Sequence, residues 1–359
     1  MKGIIPTGGR GTRMRPITFS ANKHFIPVGN KPLIFYPIEA VVGAGIKNIA
    51  ITYNPGYLDL VKNHLGSGKK WSAKFTYILQ PEPKGLANVI EICEDYMQGE
   101  PFVYHLGDNI FTKGIKMLAD RFVSTKTNAL LSVIHHPENF RMGVPYFDQE
   151  GKLIKYVEKP KNPPHDYAIP GVYFFDHQVF ACFKGRDKIK PSARGELEIV
   201  SPFNWLIEHG YRVETMEYPH KWLDPGKFDD WLDTNRCLLD MNIPENHYPK
   251  LGRDVKLEGR VEVGENSEIK NSLIRGPVSL GKGVVIRDSY VGPYTSIANN
   301  CQILSARVEN SVLMEGVTLE KLSKPVESSL IGPGTVVSGN DNSLKHTQLF
   351  VGEESRISL

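Results

Sequence analysis

Beyond about residue 250 this chain of 359 residues stops alternating and begins to repeat. Aliphatic residues recur at close to six-residue intervals, at Leu280, Ile286, Val291, Ile297 and Ile303, then at Val312 and Val317. Gly often stands beside them, as in Val263-Gly264, Leu280-Gly281, Val291-Gly292 and Ile331-Gly332. A unit this short cannot bury an apolar face alone, so the pattern indicates a β-helix built by stacking. An irregular β-sandwich is the alternative. The interval slips at Glu320–Val326, where a loop is expected to bulge from the stack. About 110 residues are available, sufficient for roughly four to five coils of three hexapeptides each.

Residues 1–243 have a different grammar, and Pro244–Pro249 read as the linker that closes them off, leaving 244–359 as linker plus β-helix. Apolar strands are expected at Gly3–Ile5, Asn48–Tyr53, Lys74–Leu79, Phe102–Leu106, Ala129–His135 and Gly171–Phe175. Helical stretches fall between several of them, at Leu33–Gly43, Leu58–Leu65, Gly85–Tyr96 and Ile115–Thr125. That order implies an α/β domain, a mostly parallel sheet covered by helices. Ligands of such sheets bind outside the carboxyl ends of the strands. Thr7–Arg13, Gln80–Gly85 and Gly107–Asn109 each follow a strand end directly, so they are expected to converge on one crevice.

The chemistry of those segments is anionic. Gly8, Gly9 and Gly11 allow tight turns that bring N–H groups close to phosphate oxygens, and Arg13 and Lys23 add cationic donors. The familiar phosphate loops are excluded: Gly66-Ser67-Gly68-Lys69-Lys70 lacks the P-loop spacing, and the first loop does not match the dinucleotide glycine pattern. The strand ending in Tyr53-Asn54 also lacks the acidic residue that would hold a ribose. Gln80, in a loop stiffened by Pro81 and Pro83, offers the mixed donor and acceptor that a pyrimidine edge requires. Asp108 and Asp224 lie on separate loops; in isolation each is more often a turn or cap residue, but opposite a phosphate loop the pair could hold Mg²⁺. Glu158-Lys159 combines a carboxylate for sugar hydroxyls with an ammonium for phosphate, though before a proline turn the pair is commonly just exposed.

Composition limits the alternatives. A formal net charge of +3 is too small and dispersed for a nucleic-acid partner, and no apolar run approaches a membrane span. The four cysteines (Cys93, Cys182, Cys237 and Cys301) are widely spaced, which reads as reduced thiols in a cytoplasmic protein. The histidines show no metal-ligand spacing.

As an ordered set, the segments Gly8–Thr18, Asn22–Pro32, Gln80–Ala87, Leu106–Asn109, Glu158–Pro160, Gly195–Ile199 and Trp222–Gly226 resemble the sugar-1-phosphate nucleotidyltransferases. The likeness covers the whole chain and is strongest to the glucose-1-phosphate thymidylyltransferases that carry a C-terminal left-handed β-helix. It implies a Rossmann-like catalytic domain followed by that helix. It further implies Mg²⁺-dependent transfer from dTTP, with UTP a possible donor, to glucose 1-phosphate; a uridylyltransferase acting on glucose or N-acetylglucosamine 1-phosphate is the alternative. A non-catalytic subunit of the same fold is a poorer reading, because every charged site residue is present.

By the same resemblance Arg13, Lys23 and Lys159 would be catalytic. Gly8, Gly9, Gly11, Thr12, Gln80, Gly85 and Asp108 would bind nucleotide. Asn109, Gly143, Glu158, Ile169, Gly171, Tyr173 and Glu196 would face the sugar, and Asp108 and Asp224 would hold the metal. The chain departs from the family pattern at Pro6-Thr7, His24, Asn88 and Pro170; His24 and Asn88 bear on which base is read. Past the linker the one histidine is His346, in a polar tail, so a general base for acetyl transfer is poorly supplied. The β-helix is therefore expected to mediate homo-oligomer contact, and a cut near Pro244 to leave the nucleotide crevice assembled.

Overall fold

The computed structural model describes residues 1–9, 11–19, 22–244, 254–339, 349–353 and 355–358. Most of the expected linker and His346 lie outside them. The described residues form two compact units, one comprising 1–9 and 34–223, the other 10–33 and 224–359.

In the first unit an eight-stranded sheet is organised around Lys2–Pro6. All five residues of that strand are buried, which explains why its apolar run does not alternate. Asn48–Tyr53 and Phe102–His105 flank it in parallel, and Lys74–Leu79 extends the sheet in parallel beyond Asn48–Tyr53. On the other side Val172–Phe175 runs antiparallel to both its neighbours, Phe102–His105 and Ala129–His135. Val213–Glu217, which carries no clear sequence signal, pairs in parallel with Ala129–His135. The helices Phe35–Gly43, Leu58–Leu65, Leu86–Ile92 and Lys116–Thr125 fall between strands as the pattern requires. The expected helix Gly85–Tyr96 is two pieces, because the turn breaks at Cys93 before Glu94–Met97. A hairpin of Gly143–Phe147 and Leu153–Glu158 stands apart from the main sheet.

The second unit holds the repeat. Seventeen strands from Val255 to Ser358 form three parallel sheets of five, six and six strands, the three faces of the left-handed parallel β-helix. The side chain–backbone bonds that join Ser267 to Val284 and Ser272 to Ser289 span 17 residues, the length of one coil. Inward aliphatic residues stack in register, Ile269 on Ile286 and Ile286 on Ile303. Two extra residues enter between Glu320 and Val326, since Leu304 pairs with Glu320 but Val308 with Val326. The slip in the sequence interval marks that insertion.

The segment 10–33 groups with the β-helix, not with the main sheet. Trp231, fully buried on the helix Phe228–Asn242, donates from its indole to Pro27 O at 2.9 Å. The Asn30 amide reaches Ser279 Oγ at 3.2 Å and Ile297 O at 3.0 Å. Arg13 and Lys23 thus lie on a segment bonded to coils that a cut near Pro244 would remove. No helix among the described residues is long and apolar enough to cross a membrane.

Candidate active site

Three polar groups of the first unit meet at the end of Lys2–Pro6. A side chain on Gly8 would sit 3.0 Å from Asn54 Oδ1 and 3.3 Å from Gln80 Oε1, so only glycine leaves both oxygens open to the loop. Gln80 is buried, and its Nε2 donates to Asn88 Oδ1 at 3.2 Å. Asn88 in turn donates to Glu91 Oε2 at 3.0 Å. The chain Glu91–Asn88–Gln80 therefore turns the acceptor of Gln80 toward Gly8, which gives the departure at Asn88 a physical role. Asn54 Oδ1 is buried without a hydrogen-bond partner. Nothing in the sequence marks it beyond its place directly after a strand.

Gly85 adopts φ 100°, and a Cβ there would lie 2.5 Å from Leu197 O. The close approach is a two-bond clasp, with Leu197 N donating to Lys84 O at 2.7 Å and Ala87 N to Leu197 O at 2.9 Å. The segment containing Glu196 is thus fixed to the Gln80–Gly85 loop, and Glu196 also accepts from Ser192 N through its carbonyl at 2.8 Å.

Asp108 lies past the strand Phe102–His105, its Oδ1 accepting from Asn109 Nδ2 at 3.0 Å. Asn109 Oδ1 accepts from Gly171 N at 3.0 Å and from the Trp222 indole at 2.8 Å. Asn109 therefore orients the Asp108 carboxylate, and Gly171 is held against it so tightly that a Cβ would fall 2.6 Å from Asn109 Oδ1. Trp222 reaches this position because Trp222–Leu223 pairs antiparallel with Ile110–Phe111, joining two motifs that are far apart in sequence. His105 is wholly buried, and burial pulls its pKa down to about 4.

The hairpin places Gly143 opposite Glu158, and Ile169 donates to Gly143 O at 2.8 Å. Lys159 follows with φ 49°, its N–H donating to Met142 O at 2.9 Å and its ammonium 3.2 Å from Glu158 Oε1. Tyr173 is buried beside Tyr156, and burial raises its pKa, with the Glu158 and Asp108 carboxylates among its electrostatic neighbours.

In the second unit Thr12–Met14 is one turn of 3-10 helix set by buried Met14, which leaves Thr12 and Arg13 exposed. Thr18 Oγ1 donates to Gly11 O at 2.7 Å, and a side chain on Gly11 would meet Thr18 and, at 3.4 Å, Lys23 Cβ. Lys23 begins a second short turn capped by Asn22, whose Oδ1 accepts from His24 N at 3.0 Å. His24 is therefore held by its own cap, with Nδ1 2.8 Å from the same oxygen. A Cβ on Gly226 would lie 3.5 Å from Arg13 Nη1, 3.4 Å from Asp230 Oδ2 and 3.9 Å from Asp224 O. Gly11, Thr12, Arg13 and Lys23 are thus set close together, and Asp224 opens a loop that approaches Arg13.

The chain matches the nucleotidyl transferase family over residues 2–241. It is 34% identical to a glucose-1-phosphate thymidylyltransferase of Streptomyces antibioticus, over 100% of this chain and 99% of that one. It is 35% identical to the low-salt glycan biosynthesis nucleotidyltransferase Agl11 of Haloferax volcanii, over the full length of both. A solved structure from Bacillus anthracis, described as a glucose-1-phosphate thymidylyltransferase in complex with a sucrose, superposes with a TM-score of 0.63 at 35% identity. It covers 68% of this chain and 98% of its own.

Proposed function

The chain belongs to the nucleotidyl transferase family, and from that premise we propose that it transfers a thymidylyl group from dTTP to glucose 1-phosphate, releasing dTDP-glucose and pyrophosphate. The observation that carries this reading is the full-length likeness to the Streptomyces antibioticus glucose-1-phosphate thymidylyltransferase. The open acceptors of Gln80 and Asn54 beside Gly8 supply its chemistry, since a thymine or uracil ring offers an imide N–H to such an oxygen.

The reaction is an in-line displacement. A phosphate oxygen of glucose 1-phosphate forms a bond to the α-phosphorus, the bond from that phosphorus to the α–β bridging oxygen breaks, and pyrophosphate leaves with the electron pair. The nucleophile is already ionised, so no general base is required. Arg13 and Lys23 neutralise the triphosphate and the departing pyrophosphate, and Lys159 holds the sugar phosphate. Glu158 and the backbone around Gly143, Ile169 and Gly171 receive the sugar.

Asp108 and Asp224 would each offer Mg²⁺ a hard carboxylate oxygen. Among the described residues no three His, Cys, Asp or Glu side chains cluster as a complete metal cage. Such donors fit Mg²⁺, which takes one or two carboxylates and completes its shell with phosphates and water. When bound, Mg²⁺ supplies further charge neutralisation at the phosphates.

None of the four cysteines is joined in a disulfide, in keeping with a reducing compartment, and we place the enzyme in the cytoplasm. Homo-oligomer contact is assigned to the β-helix, whose first face carries a groove of about 550 Å³ lined in part by Leu273, Tyr290 and Arg307. Light scattering of Tyr290→Asp is expected to show a smaller assembly; an unchanged mass removes that face from the contact.

A panel of four nucleoside triphosphates against three sugar 1-phosphates, read by pyrophosphate release, tests the activity. The thymine methyl is worth about 1–3 kcal/mol, so dTTP should lead with UTP as a weaker donor. Turnover with ATP or GTP but not dTTP overturns the base assignment.

A further inference from the structure

The coil strands Val278–Leu280 and Thr295–Ile297 are buried at every position, whereas Val261–Val263, on the same face, exposes its middle residue. On this face Val278, Leu280 and Ile297 belong to the core, so the alternating residues Ser279 and Ser296 are outward-facing and yet covered. Their covers are Asn30 and Asn235. Asn30, at the tip of the hairpin Pro27–Val28/Lys31–Pro32, donates to Ser279 Oγ at 3.2 Å and to Ile297 O at 3.0 Å. Asn235, 1% exposed on the helix Phe228–Asn242, accepts at Oδ1 from Gly29 N at 2.9 Å and Ser296 Oγ at 2.7 Å. Its Nδ2 donates to Tyr294 O at 3.0 Å. One buried amide thus joins the hairpin, the helix and one turn of the coil, at Tyr294 and Ser296.

The hairpin is linked to Lys23 through Ile26. Ile26 N donates to Lys23 O at 3.2 Å and Leu33 N to Ile26 O at 3.1 Å, so the turn that begins with Lys23 and the hairpin share their hinge residue. We propose that the β-helix is part of the catalytic apparatus: through Asn30 and Asn235 its coils hold the hairpin and so fix the position of Lys23 against the triphosphate. Asn30, Asn235 and Ser296 are positioning residues for the transfer. This rests on the assignment of Lys23 to the phosphates, and it makes the β-helix more than an oligomerisation scaffold. A displacement of about 1 Å in a charged group at the reacting phosphates is sufficient to cost on the order of a hundredfold in rate.

The test compares Asn30→Ala and Asn235→Ala with Arg260→Ala in the full-length chain. Arg260 ties the same helix to the coils, its Nη2 2.6 Å from Asp240 Oδ1, without touching the hairpin. The two Asn variants should raise the dTTP KM and lower kcat by about tenfold or more, with the glucose 1-phosphate KM unchanged. Arg260→Ala should keep wild-type kinetics. Hydrogen exchange of residues 22–33 in the free protein should quicken in the Asn variants alone. Equal kinetics in all three variants, or unaltered exchange in the Asn variants, overturns the proposal. If the wild-type protein fails to use dTTP and glucose 1-phosphate, the functional reading fails separately, and exchange alone decides whether the coils fix the hairpin.

Discussion

Gly85 can be replaced only at a steric cost, because its φ of 100° and the Leu197 carbonyl 2.5 Å from any Cβ both exclude a side chain. Gly85→Ala should push the Gly195–Ile199 segment away and raise the nucleotide KM by at least about tenfold, on the order of 1–2 kcal/mol of strain; unchanged KM with an unchanged melting temperature would refute the clasp. Lys23→Ala and Asp108→Asn should each lower kcat by about a hundredfold or more, because each removes a charge or ligand that acts on the developing phosphate charge. Circular dichroism melts should stay near wild type, and near-wild-type turnover in both would show that the chemistry lies elsewhere. Residues of this kind are legible in sequence because their spacing around glycines is local. Asn54 is not: its significance is an orphaned oxygen beside Gly8, and that exists only once the strand Asn48–Tyr53 lies next to Lys2–Pro6. Tyr173 enters only through the family resemblance; its burial beside Tyr156 and its closeness to Glu158 and Asp108 exist only in the fold.

The strands and helices follow from pattern wherever burial is one-sided or complete. Lys2–Pro6 and Ala129–His135 are continuous apolar runs because both faces of the sheet are covered. Strand direction is another matter. Val172–Phe175 is as apolar as its neighbours, and only its pairing makes it antiparallel to both. One strand carries a consequence for pH. His105 ends Phe102–His105 fully buried with its pKa near 4, against an unfolded value of about 6.5. Between those values the unfolded chain binds a proton that the folded chain refuses, so stability must fall as pH drops from about 6.5 toward 4. A melting-temperature series across that range should show the decline, and His105→Asn should flatten it. Parallel profiles for the two proteins would assign the acid sensitivity to another group.

The stack of coils behaves as a nearly one-dimensional object, each turn supported by its neighbours. Ile286 has no exposed surface and lies between Ile269 and Ile303, so Ile286→Ala should cost about 2–5 kcal/mol of β-helix stability, read as a lower urea midpoint. If the hairpin 27–32 is indeed held by the coils, that variant should also quicken exchange at residues 22–33, well away from the substitution. Sequence by itself determined the two architectures and marked most of the loops proposed to bind ligand. Periods of two, 3.6 and six residues are local, and so are the glycines and charges that a phosphate loop needs. The position of the insertion at Glu320–Val326 was equally local, since an extra residue shifts the period wherever it occurs. Only the tertiary structure decided which compact unit each loop belongs to. The chain order attaches Arg13 and Lys23 to the first strand, yet Asn30 and Asn235 bond their segment to coils some 250 residues away. Such a contact leaves no period behind. It consists of two amides, Asn30 and Asn235, and two serines whose outward positions look solvent-exposed until the hairpin and the helix cover them.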